Sequence, residues 1–147
     1  MSITYTNHFK AVYDQIKTFL IAEFPRLVNK DRILFKPIES INLGLEDVVF
    51  IRPLVDNEEY EDTAGRTSTF IIELTYLIKI QPQVNYDRIT DMGEHVKKLF
   101  GAGNYRYNTT YWHYCNVLSI DYNPELPEEI KDTYGFVMTL EIHKSQY

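Results

Sequence analysis

Between residues 7 and 24, Phe9, Val12, Tyr13, Ile16, Phe19 and Leu20 recur at three- and four-residue spacing, which places them on one face of a helix. Asn7 is positioned as the N-cap, and Pro25 ends the pattern. Two short apolar segments follow. Arg32–Glu39 (RILFKPIE) predicts a strand that lies at a sheet edge or carries a bulge, because Pro37 has no N–H to give to a ladder. Asp47–Val55 (DVVFIRPLV) predicts a second strand, with Pro53 weakening any central pairing. The clearest strand is Thr67–Gln81, where Phe70, Ile72, Leu74, Tyr76, Ile78 and Ile80 alternate without a break and share one face. The opposite face carries Glu73, Thr75 and Lys79 but also Ile71 and Leu77, so it is partly apolar and open to cover by a neighbour.

The period returns to helical over Tyr86–Phe100, with Ile89, Met92, Val96, Leu99 and Phe100 as the stripe. Asp87 sits near the start, Lys97 and Lys98 complement the dipole at the end, and Gly101 and Gly103 supply the stop. Two closing strands complete the chain: Tyr111–Tyr122, and Tyr134–His143, where Tyr134, Phe136, Met138, Leu140 and Ile142 alternate inward. The acidic connection between them, with Pro124 and Pro127, reads as an exposed loop. The predicted order is α-β-β-β-α-β-β. Two one-sided helices on one face of a mostly antiparallel five-stranded sheet make an α+β two-layer sandwich, a single domain over residues 1–147.

Asp56–Ser68 joins the second and third strands and holds five acids in seven residues: Asp56, Glu58, Glu59, Glu61 and Asp62. With Arg66 beyond them, this stretch predicts a hairpin whose mobile acidic loop protrudes over about residues 55–69. A formal net charge of −6 opposes a surface that grips nucleic acid, which needs clustered Lys and Arg. The 12 tyrosines and 8 phenylalanines suit both strands and protein contact surfaces, and Tyr105, Tyr107, Tyr111 and Tyr114 form a candidate contact patch beside Ile71 and Leu77.

The residues offer little to chemistry. A lone cysteine, Cys115, allows no internal disulfide. His113, Cys115 and His143 would approach one another if the closing strands pair, but a cysteine in an apolar strand usually behaves as a small hydrophobe. Asp91 and His95 read as a helix-surface pair. Gly101-Ala102-Gly103 follows a helix, so it cannot present helix N-terminal amides to a phosphate. Ser119 and Cys115 lie within a strand, so no nucleophile elbow forms. The expectation is therefore no catalytic, cofactor or metal site. The opening MSITYTNHFK lacks the basic start and apolar run of a signal peptide, and no apolar run approaches membrane-spanning length.

The element order, with FKPIE, TFIIELTYLIKI and YGFVMTLEIHKS, resembles the tail terminator (tail completion, or neck) proteins of long-tailed bacteriophages over about Asn7–His143. The resemblance implies a homohexameric ring that caps the tail tube, halts its polymerisation and docks the head connector. It places the chain in the virion neck after assembly in the bacterial cytoplasm, and lets packaged DNA pass without specific binding. It also implies that the 55–69 hairpin reaches a neighbouring subunit, the tube or the lumen, where anionic side chains would repel phosphates. Other readings of the same residues are a different head–tail adaptor or baseplate subunit, a small ligand-binding α+β domain using His113, Cys115, Glu141 and His143, and a regulatory module whose acids mimic nucleic acid.

Overall fold

A computed structural model describes residues 2–23, 30–38, 47–61, 65–79, 86–101, 112, 114–126 and 133–146. Helix α1 spans His8–Glu23 and helix α2 spans Tyr86–Gly101. The strands are β1 (Ile33–Leu34), β2 (Val48–Glu61), β3 (Gly65–Lys79), β4 (Tyr114–Asp121) and β5 (Thr133–Gln146). They form one sheet in the order β1-β2-β3-β5-β4. Among the described strands the β1–β2 pair is parallel and the other three pairs are antiparallel. The α+β class and element order match the expectation.

The helices form where the pattern places them. Asn7 caps α1: its side-chain oxygen accepts the Lys10 N–H at 3.1 Å and its carbonyl accepts the Ala11 N–H at 3.1 Å. The stripes of both helices join one core with the even-numbered face of β3, from Phe70 to Ile78, and the matching face of β5. Trp112 ties the layers together, with Phe19 of α1 edge-on at 5.7 Å and Phe100 of α2 at 6.4 Å. Tyr13 fixes β1 to α1 by donating to the Ile33 carbonyl at 2.8 Å and stacking on Phe35 at 4.7 Å.

Proline chemistry explains the short β1. The strand stops at Leu34, and the segment carrying Pro37 runs on without ladder bonds. Among the described residues β1 pairs only with Val49 and Phe50, so none of them continues the ladder outside β2 from Ile51 onward. Pro53 is accommodated there, and the β2–β3 register shifts between Pro53 and Val55.

Two expectations change. The acidic stretch is not a loop spanning 55–69. Pairing continues from Val55↔Ile71 through Asp56↔Phe70 to Glu61↔Gly65, so the backbone of 55–61 and 65–69 is ladder. Five acids in seven residues do not prevent this, because an edge strand with water beside it keeps its charges solvated while its backbone pairs inward. Leu77 is also not a surface residue: it is fully buried in a small second cluster with Val48 and Phe50, flanked by Leu34, Ile38 and Leu126 of the same chain. The chain itself covers this end of the reverse face.

Candidate functional site

The sheet outruns its helical layer. His8, the first residue of α1, stacks on Phe70 with ring centroids 6.3 Å apart, so the helix begins at that level. Beyond Phe70 the β2–β3 ladder continues to Gly65, with β5 alongside as far as Gln146. At about 3.3 Å per residue, this three-stranded ribbon projects roughly 16 Å past the helix start.

Its electrostatics concentrate at the base. Burial, then the charge of Lys144, holds the His8 imidazole below its ordinary value. Partial desolvation, then Glu58, pushes the Asp56 carboxyl up. Desolvation lowers Lys144. Asp56 and Glu58 are exposed. Glu59, Glu61 and Arg66 enter the ladder by their backbones, facing Thr67, Gly65 and Tyr60 respectively. Asp62 lies outside the described residues.

Both long edges of the sheet carry an irregularity at a leucine. On β2 the register shifts around Leu54, which is 44% exposed, beside exposed Val55 and half-buried Ile71. On β4 it shifts around Leu118, which is 48% exposed. Bulges end or redirect edge pairing, and each here turns a large apolar side chain outward. The two patches differ in sequence and lie toward opposite sides of the sheet, with β3 and β5 between β2 and β4 in the sheet order. Of the tyrosine patch, Tyr114 is half-buried with its ring against His143 at 5.3 Å. Tyr105, Tyr107 and Tyr111 lie outside the described residues.

The histidine–cysteine grouping does not converge. Cys115 pairs with Ile142 and joins the helix-side core, whereas Tyr114 pairs with His143, so Cys115 and His143 fall on opposite faces. His143 instead meets Glu141 at 2.5 Å and Thr69 at 3.4 Å. His113 lies outside the described residues. Among the described residues no group of three or more His, Cys, Asp or Glu stands close enough to hold a metal ion, and no helix is long and apolar enough to cross a membrane.

Sequence reasoning missed a buried polar node. Asp47, at the entrance to β2, accepts Arg88 Nη2 of α2 at 2.8 and 3.0 Å and the Tyr76 hydroxyl of β3, and its carbonyl accepts Arg32 Nε at 3.4 Å. Burial raises the Asp47 carboxyl above its ordinary value despite these donors, and burial also raises the Tyr76 phenol. The node fastens the start of α2 to the sheet. The partners of its carboxyl are 29 and 41 residues from Asp47, beyond any local motif, and the one local sign is an acid placed directly before an apolar run.

An open cleft of about 620 Å³ lies between α2 and the β4 edge, lined by Asp91, Glu94, His95, Lys97, Lys98, Gly101, Asn116 and Val117. The Asp91–His95 helix pair belongs to this lining.

No protein-family model matches the chain, and no curated protein does. A solved structure that carries no functional name is similar to it at a TM-score of 0.55 and 10% identity, covering 99% of this chain and 98% of that one. At that identity the likeness defines the class of fold alone.

Proposed function

We propose that the chain is a structural subunit of a closed ring, built as the tail terminators of long-tailed bacteriophages are, which caps a tail tube and meets the head connector. The supporting observation is the pair of unlike apolar patches on opposite edges of one sheet, around Leu54 and Leu118. A ring closes through head-to-tail contacts, and such contacts need two different surfaces on every copy. In this reading the Leu54–Val55–Ile71 patch of one copy meets the Leu118 edge of the next. The protruding ribbon, with Asp56 and Glu58 exposed, lines the bore, where negative charge lets DNA slide past unbound.

Two edge variants test this together. Leu54→Glu and Leu118→Glu should each give folded monomers, because both side chains already face water. Mixed in equal amounts, the two should form heterodimers and stop there, since each brings one intact patch. Rings surviving either substitution, or a mixture that stays monomeric, would remove the head-to-tail pairing.

A further inference from the structure

Residues Ser2–Asn7 form an exposed arm ahead of α1. Ile3 is 87% and Tyr5 83% exposed, the largest values among the exposed large hydrophobic side chains. They alternate with Ser2, Thr4 and Thr6, which is the pattern of a strand with one apolar face. Among the described residues, neither side chain joins a hydrophobic cluster. The arm leaves the body at the base of the ribbon, where His8 feels Asp56 and Glu58 of β2.

We infer that the arm of one copy lies in the α2–β4 cleft of the next copy, with Ile3 and Tyr5 against Val117 and Gly101. This rests on the ring reading, which brings the β2 edge of one subunit to the β4 edge of its neighbour. Three features select this occupant. The first is length: six extended residues reach about 20 Å, and the cleft wall from Asp91 to Gly101 is about 15 Å long at a helical rise of 1.5 Å per residue. The second is charge. Residues 2–7 carry no charged side chain, and in the lining Asp91 and Glu94 balance Lys97 and Lys98, so a neutral strand enters without an electrostatic penalty, whereas the acidic ribbon would not. The third is apolar contact. Gly101 and Val117 supply the apolar part of a lining that is otherwise polar or charged, and an apolar side chain has that part to rest against.

Disulfide trapping tests the inference. Cys115 is buried and so leaves a low background. Tyr5→Cys protein is mixed with Glu94→Cys or Lys98→Cys protein, two positions one helical turn apart that cover either direction of the arm. The mixture is oxidised, run on a non-reducing gel, and its native mass is taken. The expected result is a covalent heterodimer from at least one mixture, absent from each variant alone, in an assembly of ring mass. A ring of full mass whose cleft cysteine stays free to alkylation would overturn the arm placement and leave the ring reading standing. A crosslink in assemblies smaller than a ring would uphold the arm and sink the ring. Monomers with no crosslink would sink both. An intrachain disulfide in the Tyr5→Cys/Lys98→Cys double variant, with no intermolecular product, would show the arm folding onto its own body. As a second readout, Ile3→Ser/Tyr5→Ser should raise the concentration at half-assembly at least about tenfold, from lost apolar burial.

Discussion

Gly135→Ala is expected to destabilise the protein by about 3 kcal/mol or more, lowering its melting temperature by about 10 °C. Gly135 lies in β5 opposite Leu77 of β3. A Cβ at this position would stand 1.8 Å from the Tyr76 carbonyl oxygen and 2.9 Å from Leu77 Cδ2. The oxygen belongs to the backbone of the central strand, so no rotamer change relieves the clash. The β3–β5 ladder, which runs from Arg66↔Gln146 to Lys79↔Thr133, would have to part locally. Two other glycines serve as internal controls. At Gly93 the new methyl would meet the Tyr122 hydroxyl at 2.4 Å, but that group ends a rotatable side chain, so Gly93→Ala should cost about 1 kcal/mol. At Gly101 the methyl would make ordinary contact with Val117 at 3.5 Å, and Gly101→Ala should fall within about 0.5 kcal/mol of the parent. Urea denaturation of the three variants gives this ranking directly. A Gly135→Ala protein as stable as Gly101→Ala would contradict the close approach of β5 to β3.

Arg88→Met is expected to cost about 2–3 kcal/mol at neutral pH, discounted from the usual figure for an orphaned buried charge because the Arg88 side chain is 44% exposed. The loss should shrink on acidification. The Asp47 carboxyl already titrates above its ordinary value because burial disfavours its charge, and Arg88 is one of the groups that pull it back down. Without Arg88 its folded-state value rises further. A carboxyl whose folded value exceeds its unfolded value binds more protons when folded across that window, so stability falls as pH rises through it and is highest below the ordinary carboxylate range. The variant should therefore lose stability from acid toward neutral pH more steeply than the parent. Asp47→Asn provides the contrast, since it removes the charge, keeps hydrogen-bonding capacity toward Tyr76 and leaves Arg88 partly in water. It should cost less than Arg88→Met and show no such slope. Parallel stability–pH profiles for parent and Arg88→Met would refute the node's role.

How far the sequence could be read depended on the range of the interactions. The helices and the inward faces of β3 and β5 followed from spacing, because burial of one face acts on every second or every third and fourth residue. Pro37 correctly marked β1 as an edge. The acidic stretch misleads because dense charge is also the mark of a loop, whereas Val55–Glu61 needs only the neighbouring strand β3 to remain in the ladder. Leu77 misled for the opposite reason: its cover comes from Val48, Phe50 and Leu126, which local alternation does not reveal. The Asp47–Tyr76–Arg88 node was hidden because it joins three elements. The exposed leucines were unreadable because a bulge moves a side chain to a face that period two does not assign.

The ring itself is tested most directly by the native mass of the purified assembly as the protein is diluted. The account predicts a closed species of about six times the 17.4 kDa chain, which dissociates without an open ladder of larger polymers. A species that remains at one chain mass at every concentration would contradict it.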